Sequence, residues 1–344
     1  MRILVLGGTL FVGRWLVHEA LERGHQVTMF HRGLTNANLF PEAERIHGDR
    51  TKDLDKLDGR TWDAVVDTCG FRSDVVRDSA RRLSQRVGHY TFISSISVYV
   101  DPMPAHADES APLAMLPAGV EDEDDISTYG ARKALCERAA EEEMPGRVLH
   151  IRPGLVVGPY DYVDRFGYWV RRIAAGGEVL CPGRPERRIE LIDVRDMMHW
   201  NLDLIERGGT GLFNATGPES PLTSLDMMEA CRKASGSDAR LLWIEDDFLV
   251  EKEVGPFGEM PFWLPERDFP HAFEVDCRKA FAAGLHFRPL VETCADVLAW
   301  DRARDLAKES APQRRLKFLG QVGMKPEREK ALLAEWRERS RASA

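Results

Sequence analysis

The first 155 residues alternate short apolar runs with helical patterns, and this alternation constrains the fold more than any other feature. The apolar runs include "RILVLGG", "HQVTMFHRG", "DAVVDTCG" and "HYTFISSISVYV", and amphipathic segments such as "VGRWLVHEALERG" separate them. Strands that alternate with helices of this length are joined by right-handed crossovers and form a parallel sheet covered by helices on both faces. The sequence therefore predicts a doubly wound parallel α/β sheet.

The remainder of the chain has a mixed α/β pattern, which predicts a second domain. Residues 1–158 form the first domain in this prediction, and residues 159–302 form the second. Residues 101–127 are rich in Pro, Ala and acidic residues, so we expect an excursion loop there. Residues 303–344 are expected to be a charged tail whose helix is opened by Pro326 and has Leu332, Leu333 and Trp336 on one face.

Composition excludes several classes of protein. The net charge of −9 gives no overall attraction to phosphate backbones, so nucleic acid is not an expected partner. No segment approaches the roughly 18 consecutive apolar residues of a membrane span, and the N-terminal apolar run is too short for a secretory signal. The six cysteines show no metal-ligand or redox spacing. We therefore expect a cytoplasmic protein without a metal site.

The stretch "LGGTLFVGR" at residues 6–14 predicts a phosphate cradle. Gly7 and Gly8 permit a tight turn after the first strand, and Gly13 lies where the following helix must pack closely on the sheet. The helix N-terminus then presents free N–H groups and a positive dipole end to an anion. The alternative is a glycine-rich turn that binds no ligand, because Leu10 stands where such loops often have glycine.

The end of the second strand indicates which dinucleotide the cradle would take. The stretch "VTMFHRG" offers His31 and Arg32 where an acid would bind the adenosine ribose of NAD, so NADP(H) is favoured and NAD(H) is the alternative. Arg14 could assist. Asp49, after the next apolar run, is placed to reach the adenine, although it could equally be a turn residue and Arg32 a solvated one.

Tyr129 and Lys133 in "STYGARKAL" stand four residues apart, so both lie on one face of a predicted helix. An ammonium beside a phenol stabilises the phenolate and makes tyrosine a usable acid or base. Such pairs also arise by chance on amphipathic helices. Ser95, at the end of the strand "TFISSISVY", could orient a substrate oxygen at the same crevice, which makes the combination more specific.

Together, the glycine loop, the serine and the Tyr-x-x-x-Lys pair resemble the extended short-chain dehydrogenase/reductases, which include the NAD-dependent epimerase/dehydratase family. The loop is similar to that of an atypical subgroup with "GGTxFxG". The resemblance implies a Rossmann domain that binds NAD(P), with catalytic Ser95, Tyr129 and Lys133. It also implies a smaller mixed α/β domain for substrate binding at the C-terminal side, with segments around 190–216 returning to the Rossmann domain. The expected cofactor contacts are Gly7, Gly8, Thr9, Leu10, Phe11, Val12, Gly13, Arg14, His31, Arg32, Asp49, Arg50, Thr68, Cys69, Gly70, Tyr129, Lys133, Pro153 and Gly154.

Two departures from the family bear on the substrate. Sugar 4,6-dehydratases of this family carry an Asp-Glu pair after the catalytic residue, but Ile96 and Ser97 stand there, so that chemistry is not expected. Nucleotide-sugar epimerases of this family have an arginine just before an "IDV"-like segment. This chain has Ile189 at that position, beside Arg187 and Arg188, which disfavours a nucleotide-sugar substrate.

The hypothesis favoured by the sequence is an NADP(H)-dependent oxidoreductase that acts on a small molecule and forms a homodimer. One alternative is an epimerase that keeps NAD tightly bound, and another is a nucleotide-sensing or RNA-associated binding protein. The aromatic residues of the second domain either form pocket walls or pack in the core; they are Phe166, Tyr168, Trp169, Phe257, Phe262 and Trp263. His199 is expected in the core.

Overall fold

The computed structural model describes residues 1–120, 126–304 and 322–342. The strands are β1 (Arg2–Leu6), β2 (Gln26–His31), β3 (Glu44–His47), β4 (Trp62–Asp67), β5 (Val87–Ile93), β6 (Val148–Pro153), β7 (Leu155–Val157), β8 (Glu178–Pro182), β9 (Arg188–Ile189), β10 (Leu191–Asp193), β11 (Gly211–Ala215), β12 (Leu222–Thr223) and β13 (Arg240–Ile244). The helices are α1 (Phe11–Glu22), α2 (Ser73–Leu83), α3 (Tyr129–Glu143), α4 (Arg165–Ala174), α5 (Val194–Glu206), α6 (Ser224–Ser235), α7 (Asp246–Glu251), α8 (Arg278–Ala282), α9 (Leu290–Ala303) and α10 (Pro326–Ala342).

Seven parallel strands form the central sheet in the order β11-β6-β5-β4-β1-β2-β3. The chain runs outward from β1 to β2 and β3 on one side and resumes at β4 on the other. The carboxyl ends of β1 and β4 therefore flank the point where strand order reverses, which is where ligands bind in open α/β sheets. The predicted doubly wound parallel sheet is confirmed.

Aliphatic side chains explain why these segments are strands. From Ile3 to Leu6 every side chain of β1 is inaccessible to solvent, and β4, β5 and β6 are buried along nearly their whole lengths. Each large aliphatic side chain so buried stabilises the fold by about 1.5–3 kcal/mol. The buried sheet thus fixes the positions of the polar residues that follow each strand.

The chain forms two compact units. The first comprises Met1–Val156, Leu191–Glu219 and Val275–Phe287, and the second comprises Val157–Glu190, Ser220–Glu274 and Arg288–Ala344. The first boundary is expected at residue 158 and a returning segment at 190–216, whereas the structure has a second return at 275–287 that the sequence does not predict. Hydrogen bonds hold that return in place, including one from the Asn214 side-chain amide to the Asp276 carbonyl at 3.1 Å.

The second unit is a mixed α/β structure with two pairs of short strands, β8 with β13 and β9 with β12. Phe166, Trp169 and Trp263 are buried within it, so these aromatic residues serve as core. The helix predicted in the tail is α10, and Leu332 and Leu333 on it are buried. The unit has a packed core of its own.

Two other sequence expectations meet the structure here. His199 is wrong as a core residue, because its side chain is 63% exposed and its Nδ1 lies 2.8 Å from the Glu19 carboxylate. The excursion loop expected over 101–127 has no helix or strand in residues 101–120, and residues 121–125 lie outside the described part. Among the described helices, none has the length and apolarity needed to cross a membrane.

Candidate active site

The glycine loop between β1 and α1 turns sharply and packs closely on itself. Gly7 and Gly8 have φ values of 109° and 94°, which favour glycine. A Cβ on Gly13 would lie 2.8 Å from the Gly8 nitrogen, so α1 reaches this close to the loop only with glycine there. Leu10, in contrast, has φ −120° and ψ 156°, an extended conformation open to any residue. The leucine therefore does not disturb the turn.

The N-terminus of α1 has features of an anion site. In this helix no side chain caps the first turn and no acidic residue lies in it, whereas Arg14 does. The first N–H groups of a helix lack intrahelical acceptors and carry the positive end of the dipole. Thr9 at the start of the loop is buried, and its carbonyl accepts a hydrogen bond from the Asn36 side chain at 2.9 Å. This arrangement suits a phosphate group.

His31 ends β2 with an unusual hydrogen-bonding state. The Gly33 N–H donates to its Nδ1 at 3.0 Å, so in the neutral ring Nε2 carries the proton. Burial, and then the charges of His47 and Arg45, lower the pKa of His31, which keeps the ring neutral at pH 7. Among the described residues no group accepts from the buried Nε2. The end of β2 therefore presents an N–H donor where NAD-binding loops present an acidic acceptor.

Arg32 and Asp49, also predicted around the adenosine end, occupy different environments. Arg32 is exposed beside Asp49. The Asp49 carboxylate accepts hydrogen bonds from the Thr51 backbone at 3.0 Å and from its hydroxyl at 2.8 Å, and these bonds lower the pKa of Asp49. Asp49 is thus engaged as a turn residue, and a contact from it to adenine stays a prediction.

Arg50 makes a buried ion pair instead of facing the cleft. Its guanidinium donates two hydrogen bonds of 2.7 Å to Asp67, the last residue of β4, and one of 2.9 Å to Ser79. Burial would raise the pKa of Asp67, but the charge and hydrogen bonds of Arg50 outweigh it and hold that pKa below its ordinary value. Tyr90 adds a hydrogen bond at 2.9 Å. The pair fixes the end of β4, from which residues 68–70 continue.

Residues 68–70 line the crevice between β1 and β4. The Thr68 hydroxyl donates to the Leu6 carbonyl at 2.9 Å, and the Cys69 thiol lies 3.3 Å from the same oxygen. Gly70 is buried, and a Cβ on it would lie 2.5 Å from the Phe92 ring. These predicted cofactor residues thus form a tight wall beside the glycine loop.

The Ser95 turn follows β5 on the other side of β4. Ser95 begins a short 3₁₀ helix (Ile96–Val98), and its hydroxyl accepts from the Ser97 N–H at 3.1 Å and donates to the Ser97 hydroxyl at 3.0 Å. Ser94 beside it is buried, and in the described part of the chain its hydroxyl has no hydrogen-bond partner. The hydroxyls of Ser95 and Ser97 therefore lie together after this strand end.

Helix α3 brings the predicted pair to the same strand end. Gly130 packs so closely on the Ser95 turn that a Cβ there would lie 1.9 Å from the Ser97 carbonyl oxygen. Tyr129 is the first residue of α3 and is half-buried. Lys133, 3% exposed, donates from Nζ to the Ile93 carbonyl at 2.6 Å and to the Gly70 carbonyl at 3.0 Å. The first turn of α3, which carries the pair, is thus held against residues 93–97 by Gly130 and Lys133.

Pro153 and Gly154 continue the row of strand ends. Gly154 follows β6, and its N–H donates to the Ala215 carbonyl at 3.3 Å. A Cβ on Gly154 would lie 2.4 Å from the Thr216 hydroxyl oxygen, which is buried and lacks a hydrogen-bond partner among the described residues. In the described part of the chain no cluster of three or more His, Cys, Asp or Glu side chains could hold a metal ion.

Two features of the site were missed in the sequence. Gly130 was not singled out, although a glycine in the first turn of a helix signals a close backbone approach. Arg152 and Glu137 form a buried ion pair behind Tyr129 and Lys133, but their spacing carries no sequence signal. Only the fold shows that α3 and β6 bring the two charges together.

The residues fit a nicotinamide dinucleotide. The glycine loop and the N-terminus of α1 would hold the pyrophosphate, the His31 donor would meet the adenosine ribose, and Tyr129 and Lys133 would lie at the nicotinamide end. Two observations favour this fit over a turn that binds no ligand. The N-terminus of α1 has no side-chain cap, and the buried donor of His31 lacks an acceptor among the described residues.

Sequence comparison shows which family the N-terminal part of the chain resembles. The model of the NAD dependent epimerase/dehydratase family matches residues 3–85. The predicted family resemblance is confirmed. A curated relative, the chloroplast stem-loop binding protein of 41 kDa b from Arabidopsis thaliana, is 26% identical over 330 residues, which cover 89% of this chain and 76% of that protein.

Solved structures show a similar fold. UDP-glucose 4-epimerase from Thermotoga maritima, solved with UDP-glucose, is 17% identical with a TM-score of 0.65, over 88% of this chain and 99% of that one. The Bordetella bronchiseptica enzyme WbmH, solved with NAD+, is 17% identical with a TM-score of 0.64, over 88% and 98% of the two chains. At these identities the likeness establishes the epimerase/dehydratase fold.

Proposed function

We propose that this protein is an enzyme that uses a nicotinamide dinucleotide to interconvert a carbonyl and a hydroxyl group on a small molecule. The observation that carries the proposal is the docking of α3 on the Ser95 turn, because Gly130 and Lys133 both contact residues 93–97. This docking supports a position for the phenol of Tyr129 beside the crevice at the glycine loop.

Each of the three side chains has a role in the proposed reaction. When bound, the nicotinamide supplies or accepts the hydride. In the direction of reduction, Tyr129 donates its phenolic proton to the substrate oxygen, and Ser95 turns its hydroxyl from Ser97 to that oxygen. The ammonium of Lys133 favours the phenolate that remains. Acid–base catalysis of this kind contributes roughly 10²–10⁴-fold to rate, so Tyr129→Phe should lose that factor and keep dinucleotide binding.

We also propose that the cofactor is NADP(H) rather than NAD(H). NAD presents ribose hydroxyls that need an acceptor, whereas the 2′-phosphate of NADP accepts hydrogen bonds. His31 offers a buried donor through Nε2, and Arg32 adds a positive charge nearby. The relative WbmH was solved with NAD+, so the choice rests on the residues that end β2 in this chain.

Calorimetric titration of the full chain with NADH and NADPH tests the cofactor. His31→Asn should weaken the binding of NADPH at least about tenfold, since a hydrogen bond to a charged group contributes about 1.5–3 kcal/mol. The affinity for NADH should not change. The exposed His18 on α1 provides the matched control His18→Asn. Tighter binding of NADH than NADPH to the wild type would reject the choice of NADP(H).

An epimerase is the second candidate, because solved structures of similar fold include UDP-glucose 4-epimerase. An epimerase must regenerate its cofactor in each turnover, so it retains the nucleotide. The protein would then purify with a nicotinamide absorbance band and react without added coenzyme. A protein that purifies free of nucleotide and consumes NADPH with a carbonyl substrate would exclude this candidate.

Stem-loop binding is the candidate of another class, since it is the named property of the Arabidopsis relative. In this chain the arginines of α2 are paired with acids, including Arg77 with Glu142 at 2.7 Å and Arg81 with Glu143 at 2.8 Å. The net charge of −9 is also unfavourable. A filter assay with a labelled RNA hairpin over a salt series separates the candidates, because tight and salt-sensitive binding would favour this one.

A further inference from the structure

A buried polar network lies behind the Ser95 turn and the catalytic face proposed for α3. Arg152 on β6 is 2% exposed, and its guanidinium donates to both carboxylate oxygens of Glu137 at 2.9 and 2.7 Å. Its third nitrogen donates to the Tyr99 hydroxyl at 3.0 Å. Tyr99 in turn donates to the Asn214 side-chain oxygen at 2.6 Å. One guanidinium therefore holds two side chains from separate elements.

Those two side chains belong to the segments that carry the proposed catalytic groups. Glu137 lies one helical turn after Lys133 and two turns after Tyr129, on the same face of α3. Tyr99 directly follows the 3₁₀ turn that Ser95 begins. Arg152 thus links Glu137 on α3 to Tyr99, the residue after the Ser95 turn. Gly130 and Lys133 link the same two segments closer to Tyr129 and Ser95.

Stability alone does not account for such a network. Replacing a buried ion pair by well-packed apolar residues is often neutral or stabilising, so a pair of this kind is weak support for a purely stabilising role. A bidentate guanidinium also has a fixed planar geometry that apolar packing lacks. That geometry sets the distance between β6 and α3, and through Tyr99 the position of the Ser95 turn.

We infer that Arg152 is a positioning residue that fixes the position of the Ser95 turn relative to Tyr129 and Lys133. The inference rests on the proposed function, since it presupposes that these three side chains act together. Misplacing reacting groups by about 1 Å can cost 10²-fold in rate. A change in the position of the Ser95 turn should therefore lower turnover by about 10–100-fold.

Ionisation of Tyr129 provides a readout that needs no substrate. The near-ultraviolet phenolate absorbance of the full chain is titrated with pH, and the titration of Tyr129→Phe is subtracted to isolate one phenol among six tyrosines. If Lys133 lies close to Tyr129, the pKa of this phenol is below its ordinary value of about 10. In Arg152→Met its pKa should rise toward that value, and Arg152→Lys should restore only part of the difference.

Two further variants separate positioning from folding. Tyr99→Phe removes one hydroxyl, which joins Arg152 and Asn214 to the residue after the Ser95 turn, and keeps the ion pair of Arg152 with Glu137. It should therefore fold and still raise the Tyr129 pKa. Arg147→Met is the matched control, because Arg147 donates to the Ser84 and Val87 carbonyls at the opposite end of β6. It should lower the free energy of unfolding without moving the Tyr129 pKa.

The outcomes distinguish this inference from the function on which it rests. A lowered Tyr129 pKa in the wild type that neither Arg152→Met nor Tyr99→Phe changes beyond the control would overturn the positioning role alone. An ordinary Tyr129 pKa in the wild type would overturn the acid–base assignment, and the positioning role with it. If Arg152→Met does not fold, Tyr99→Phe decides.

Discussion

Substitution of Gly130 by alanine tests how α3 is held against the Ser95 turn. An added Cβ would lie 1.9 Å from the Ser97 carbonyl oxygen and 2.9 Å from its carbon, whereas Cβ contacts under 3.0 Å are essentially never seen. Because the opposing atoms are backbone, the start of α3 must move away by about 1 Å. A displacement of that size between reacting groups can cost 10²-fold in rate, so we expect turnover to fall by about that factor.

The assay measures NADPH oxidation with a panel of carbonyl compounds, and dinucleotide binding by calorimetry. Turnover should fall in Gly130→Ala while dinucleotide affinity changes little, since the glycine loop is formed by other residues. Gly88→Ala is the control, because a Cβ there has as its nearest neighbour the Asp63 carbonyl at 3.4 Å, an ordinary contact. Wild-type turnover in a correctly folded Gly130→Ala would refute the reasoning, since Tyr129 would then act without close docking.

Other predictions concern stability and the glycine loop. Asp67→Asn should lower the free energy of unfolding by about 3–5 kcal/mol in chemical denaturation, because it leaves Arg50 buried beside a neutral partner. Burial is the main cause that lowers the pKa values of His31 and His89, so the unfolded chain binds more protons than the folded one. The free energy of unfolding should therefore fall as pH drops through the ordinary histidine range. His89→Gln should reduce this dependence on pH. Leu10→Gly should change NADPH affinity by less than about tenfold in calorimetry, because the backbone at Leu10 already has an extended conformation.

The sheet and the glycine loop could be predicted from the sequence because local patterns determine them. Apolar runs of strand length give β1, β4 and β5, and glycines between a strand and a helix give a tight turn. His31, which ends β2, and Ser95, which follows β5, lie at the carboxyl edge as the sequence predicts, because parallel strands share that edge.

Side-chain partners could not be predicted in the same way, because they depend on where distant segments meet. Arg50 follows β3 and resembles a cleft residue, but its guanidinium pairs with Asp67 at the end of β4, although β1 and β2 separate these two strands in the sheet. The ion pair of Arg152 with Glu137 requires that α3 packs against β6. The tautomer of His31 depends on one backbone N–H in the following turn. Each of these features is determined by tertiary structure.

The most direct measurement is the pKa of the phenol at position 129 in the intact chain, compared between wild type and Lys133→Met. The account predicts that this phenol loses its proton well below pH 10 in the wild type and close to pH 10 once the ammonium is removed. Ionisation near pH 10 in both proteins would contradict it, because a tyrosine of ordinary acidity is not the proton donor described here.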